Sequence, residues 1–102
     1  MKVVFCTAPV EAAEHLASTL VEERLAACVN VHSRVTSVYR WQGRVERADE
    51  SLLVMKTSDA TLDLLMARIA AIHPSAVPEI VAFDAARVNR PYLEWVDSET
   101  SR

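Results

Sequence analysis

Residues 28–43 read CVNVHSRVTSVYRWQG, and the fold class can be worked out from this stretch. Its apolar side chains, from Val29 to Trp41, fall mostly on odd positions, while polar side chains fill most even ones. A period of two is typical of a β-strand with one apolar and one polar face. Gln42-Gly43 suits a two-residue turn, because glycine tolerates the positive φ that such turns require. The stretch predicts a long strand, bent near Ser33-Arg34, that enters a β-hairpin.

The flanking segments supply the remaining elements. Apolar runs predict further strands at Val3–Cys6, from Val45 through Leu52–Met55, and at Ile80–Phe83. Helical spacing predicts one helix from Ala13 to Leu25 and another from Leu62 to Ile72, which Pro74 ends. A short helix begins near Asn89, and residues 97–102 are expected to fray. The order βαββαβ plus a terminal helix predicts an α+β, ferredoxin-like sandwich, with residues 1–102 as a single domain.

One face of this sheet lacks a cover in a single chain. The two long helices occupy one face, and strands whose other face is wet normally alternate between apolar and polar residues. Val3–Cys6, Leu52–Met55 and Ile80–Phe83 do not alternate. We therefore expect another copy of the chain to cover the second face, and the long hairpin to reach a neighbour's sheet edge.

Composition excludes several classes of function. The net charge of -3 and the absence of a Lys/Arg run argue against nucleic acid as a partner. No apolar stretch approaches the roughly 20 residues of a membrane span, so no membrane role is expected. Gly43 is the only glycine, which excludes glycine-rich phosphate loops. The absence of an export signal predicts a cytoplasmic protein whose two cysteines, Cys6 and Cys28, stay reduced.

Five segments, taken together, resemble the CutA divalent-cation-tolerance family. They occur in that family's order and extend over most of the chain. They are Val3–Pro9 (VVFCTAP), Glu23–Asn30 (ERLAACVN), Val35–Gly43 (VTSVYRWQG), His73-Pro74 with Val77-Pro78-Glu79, and Tyr92–Trp95 (YLEW).

The resemblance implies a ferredoxin-like homotrimer similar in architecture to the PII signalling proteins. It also implies binding of copper or other divalent ions, with no enzymatic activity. By position in the motifs, the implied metal ligands are Cys6 and His73. Two ligands are too few for a site, so Glu79, water or a neighbouring chain would have to complete it. The family's first histidine of a His-His pair is replaced by Ile72.

Other roles remain open for these residues. Cys6 can be a small buried apolar residue. His73 can cap the C-terminus of its helix, where the helix dipole favours a partly charged imidazole. Arg40, Arg44, Lys56 and Glu79 can line a cleft between subunits that holds a small anion. Trp41 is a further candidate ligand or cleft residue, although such aromatic residues more often pack at a core or an interface. Cys6 with His73 is the only nucleophile–base pair that the sequence offers, and we expect no enzyme. The leading hypothesis is a metal-responsive trimer; the alternative is a PII-like module that binds a small ligand or partner.

Overall fold

The computed structural model describes residues 1–102 and contains one antiparallel sheet with three α-helices. The sheet order is β2-β3-β1-β4, and a short 3-10 turn at Asp59–Thr61 precedes the second helix. This arrangement confirms the predicted α+β, ferredoxin-like order. The elements are β1 (Lys2–Pro9), α1 (Val10–Glu22), β2 (Cys28–Trp41), β3 (Arg44–Thr57), α2 (Leu62–Ile72), β4 (Ile80–Asp84) and α3 (Arg90–Glu99).

The core lies between the sheet and the helices α1 and α2. Alternate residues of β1 and β3 point toward the helices, and Val4, Cys6 and Leu53 are fully buried there. Leu20 and Leu65 meet them from the helix side. Each such large apolar side chain stabilises the fold by about 1.5–3 kcal/mol relative to an exposed one. No helix in the chain has the length and apolar character needed to cross a membrane.

The opposite face of the sheet carries the remaining apolar residues of the strands. Phe5 on β1 and Phe83 on β4 meet edge to face, with ring centroids 5.2 Å apart. Val81 and Phe83 are 43% and 49% exposed in the single chain. The unbroken apolar runs of the sequence thus correspond to strands with apolar side chains on both faces, one of which no helix covers.

The hairpin of β2 and β3 is longer than the rest of the sheet. A bulge between His32 and Val35 bends β2, and Gln42-Gly43 forms the turn with φ angles of 49° and 79°. Both features were predicted. Because β1 ends where Pro9 pairs with Glu50, residues 36–49 pair only with one another. We call this two-stranded segment, residues 36–49, the arm.

Two boundaries differ from the sequence-based expectation. The first helix ends at Glu22 rather than Leu25, because Arg24 adopts a left-handed φ of 61° that turns Leu25 back into the core. The predicted frayed tail is also wrong, since α3 continues to Glu99 and Thr100 is 1% exposed. The Thr61 hydroxyl donates a hydrogen bond to the Thr100 carbonyl at 3.1 Å, which ties the end of the chain to the start of α2.

Candidate functional site

A cavity of about 560 Å³ opens where β1 ends. Its walls come from Thr7 on β1, from Glu50 on β3, from Tyr39 and Trp41 on the arm, and from residues 73–79 after α2. Side chains of the arm and residues of the 73–79 loop line the same cavity. Segments distant in sequence therefore meet where β1 ends.

His73 joins the end of α2 to the end of β1. Its backbone N–H closes the helix on the Ile69 carbonyl at 2.9 Å, and Pro74 follows. Its Nε2 lies 2.7 Å from the Thr7 carbonyl oxygen, and its Nδ1 accepts a hydrogen bond from the Ser75 amide at 3.0 Å. A carbonyl oxygen can only accept, so Nε2 carries the ring proton. The imidazole is thus neutral, with both nitrogens engaged.

Cys6 lies beside His73, although its side chain is on the helix-facing side of β1. Its thiol donates a hydrogen bond to the same Thr7 carbonyl, at 3.6 Å, and is fully buried. Burial, followed by the negative charges of Glu79 and Glu50, raises the pKa of the Cys6 thiol to about 12. The thiol is therefore protonated at neutral pH, whereas a metal ligand or a nucleophile is the thiolate.

Two carboxylates face the cavity near this thiol. Glu79 lies just before β4 and is exposed, and Glu50 lies at the base of the arm and is half-buried. Neither makes a salt bridge with a lysine, arginine or histidine. Both charges act on the Cys6 thiol. The site thus holds two unpaired negative charges close to a buried thiol and a neutral imidazole.

Within one chain, the residues expected at a cleft between subunits do not all line this cavity. Trp41 lines the cavity with Glu79, whereas Arg40, its neighbour on the strand, is absent from the cavity wall. Lys56 lies farther along β3, paired with Val3 of β1, and its ammonium group hydrogen-bonds to Asn30. No lysine or arginine lines the cavity.

The number of metal donors in one chain is small. Nowhere do three His, Cys, Asp or Glu side chains converge so that they can hold an ion. Ile72, where the resemblance implies a further histidine ligand, packs against the core. The thiol and imidazole suit a soft or borderline ion by their chemistry, but one chain supplies too few converging ligands for a closed site.

Three site residues escaped the sequence analysis. Thr7 contributes through its backbone carbonyl, which no side-chain motif reveals. Ser75 likewise contributes its backbone amide. The position of Glu50 could have been predicted from the hairpin register. Pairing residues outward from the Gln42-Gly43 turn places Glu50 opposite Val35, at the base of the arm.

The antiparallel sheet, its helix layer and its uncovered apolar face define a ferredoxin-like α+β protein. A family model described as CutA1 divalent ion tolerance protein matches residues 2–99, and the chain belongs to this family.

Relatives of known sequence support this assignment. The chain is 49% identical over 100 residues to the divalent-cation tolerance protein CutA of Thermus thermophilus, covering 97% of each. It is 39% identical over 97 residues to human CutA, covering 94% of this chain. The match spans only 54% of the human protein, and similarly about half of the plant and other vertebrate relatives.

Solved structures agree with the fold in detail. The Thermus thermophilus Cut A1 structure superposes with a TM-score of 0.93 at 48% identity, covering 99% of this chain and 100% of that one. The structure of the PII-like protein CutA from Nostoc sp. PCC 7120, in apo form, gives a TM-score of 0.94 at 37% identity. That superposition covers 98% of this chain and 97% of the Nostoc chain.

Proposed function

We propose that the protein is a trimeric, divalent-cation-binding member of the CutA family, in which Cys6 and His73 contribute ligands to copper or a similar ion. The observation that carries the proposal is the convergence of these two side chains on the Thr7 carbonyl. Thiolate and imidazole are the protein ligands best suited to copper and zinc ions, and far less suited to magnesium or calcium. The activity proposed is binding rather than catalysis, since the thiol donates to a backbone oxygen and not to a base.

Metal binding at this point requires two local changes. The thiol of Cys6 gives up its proton to solvent, which a bound cation favours by its own charge. The imidazole of His73 releases the Ser75 amide, so that the lone pair of Nδ1 can bind the ion while the Nε2 proton stays on the Thr7 carbonyl. Glu79, water or a residue of another copy then completes the ligand set, because two protein donors are fewer than these ions normally take.

A titration with matched variants tests the proposed ligands. Metal-free protein is titrated calorimetrically with Cu(II) and Zn(II), beside Cys6→Ser and His73→Ala. The controls are Cys28→Ser and His32→Ala, which change the same residue types away from the cavity. We expect each ligand variant to lose at least about 10-fold in affinity, the loss typical of a damaged metal site, and each control to match the parent. Unchanged binding in both ligand variants would remove Cys6 and His73 from the proposal.

The trimer is proposed on separate grounds. The apolar face with Phe5, Val81 and Phe83 has no cover in one chain, and the arm extends past the sheet. Contiguous apolar surface of this kind marks an interface in small proteins. Light scattering should give three times the chain mass of 11.3 kDa, and Phe83→Glu should lower that mass. If the parent protein scatters as a monomer, the proposed trimer is refuted.

The two free cysteines support the proposed cytoplasmic location, because disulfides rarely persist in the reducing cytosol.

A second candidate function rests on the cavity itself. Its volume of about 560 Å³ lies within the range of small-molecule sites, which is about 300–1,000 Å³. This volume supports a PII-like module that takes a small ligand. A thermal-shift screen separates the candidates, because a ligand that binds only the folded state raises the unfolding temperature. Stabilisation by metals alone favours the first candidate, and stabilisation by small molecules alone favours the second.

A further inference from the structure

The charged side chains on the cavity wall are all negative. Glu50 and Glu79 are the only formally charged side chains lining it, and neither is neutralised by a salt bridge. His73 adds no charge, because both of its ring nitrogens are hydrogen-bonded in the neutral form. An anion placed here would meet two carboxylates and no cationic side chain, which disfavours it electrostatically.

The wall also offers aromatic surface. Tyr39 and Trp41 line the cavity from the arm, and each is 43% exposed. Tryptophan and tyrosine rings attract cations through the negative potential of their faces, tryptophan most strongly. The carboxylates and the aromatic rings of this wall thus both favour a positively charged ligand.

The size of the cavity separates an organic cation from a metal ion. A water molecule occupies about 30 Å³ of liquid, so about 560 Å³ has room for well over ten waters. A bare ion would leave most of that space filled with water and would leave the aromatic faces without contact. A molecule with an apolar body and an ammonium group uses both the volume and the rings.

We propose that this cavity binds a small organic cation, with an ammonium group at Glu50 and Glu79 and an apolar body against Tyr39 and Trp41. The inference rests on the small-ligand candidate function and names its ligand class. The ligand proposed for this cavity is a cation rather than an anion, because neither Arg40 nor Lys56 lies on its wall.

The test compares three probes of similar shape and different charge. 2-Phenylethylammonium is the cation, 2-phenylethanol is neutral, and phenylacetate is the anion. The full chain is used in its native assembly, in a Trp95→Phe background that leaves Trp41 as the only tryptophan reporter. Fluorescence and calorimetry then report binding at the cavity. Glu50→Gln and Glu79→Gln test the carboxylates, and Glu14→Gln, exposed on α1, is the control for a lost negative charge.

We expect the cation to bind at least about 5-fold tighter than the neutral probe, because a charge-assisted hydrogen bond is roughly twice as strong as a neutral one. For the same reason, Glu50→Gln and Glu79→Gln should each lower the affinity for the cation by about 5-fold. Glu14→Gln should leave the affinity within about 2-fold, as expected of a distant surface charge. Tighter binding of phenylacetate would overturn the inference but keep the small-ligand function. If no probe binds, the inference is also overturned. Metal titration of the same samples tests the metal-binding proposal independently.

Discussion

Replacing His73 by alanine removes the bridge between the end of β1 and the loop after α2. The ring donates to the Thr7 carbonyl at 2.7 Å and accepts from the Ser75 amide at 3.0 Å, and the residue is 9% exposed. Each lost hydrogen bond costs about 1 kcal/mol net, and loss of the buried ring adds about 1 kcal/mol more. We therefore expect His73→Ala to lower the free energy of unfolding by about 3 kcal/mol. That is a large fraction of the roughly 5–15 kcal/mol of a typical domain.

Urea unfolding followed by circular dichroism measures this loss. Protein concentration is held constant across samples, because association makes apparent stability depend on it. With a slope of about 1–3 kcal/mol per molar urea, the midpoint should fall by at least about 1 M. His73→Gln, which keeps a donor and an acceptor, should recover part of the difference.

His15→Ala is the matched control, because His15 is exposed on α1 and its side chain makes no hydrogen bond. Exposed substitutions of this kind stay within about 0.5 kcal/mol. If His73→Ala unfolds within that margin of His15→Ala, the imidazole is not the bridge described here, and the reasoning that joins β1 to the loop fails.

Three further outcomes are expected in the same assay. Folding raises the pKa of the Cys6 thiol from 9.0 to about 12, so the neutral thiol's contribution to stability is complete below pH 9. That contribution declines between pH 9 and about 12. Over this range Cys6→Ala should therefore lose less stability than the parent. Thr100→Val removes a hydroxyl 2.8 Å from the Val96 carbonyl and should cost about 1–2 kcal/mol, with Ser101→Ala, exposed, as its control. Gly43→Ala should cost about 1 kcal/mol, because φ is +79° with nothing within 4 Å of the added Cβ; an unchanged midpoint would contradict a strained turn.

Much of the fold could be predicted from patterns that act over short distances. The period of two in β2 reports which side chains face the core, and the only glycine, Gly43, identifies the hairpin turn. Those two features place the register of the whole arm, and the apolar runs correspond to strands with apolar side chains on both faces. The motifs also placed Cys6 and His73 among the candidates, and the structure brings the two together at Thr7.

The rest depends on contacts that residue type does not reveal. Thr100 looks like part of a polar tail, yet its burial follows from the Thr61 hydroxyl that reaches its carbonyl. Arg40 and Lys56 looked like members of a cleft because of their charge. Arg40 is absent from the cavity wall next to Trp41, and Lys56 lies some residues beyond the end of the arm.

The arm has a consequence for motion. A two-stranded hairpin standing alone in water is marginally stable at best, yet residues 36–49 continue a regular ladder beyond the last pairing with β1. Their amide hydrogens therefore have no third strand to slow exchange with solvent, unlike those of β1, which is paired on both sides. In the proposed trimer, contact of the arm with a neighbouring chain would slow the exchange of its amide hydrogens. Exchange in the arm would then depend on protein concentration, whereas exchange in the core of each chain would not.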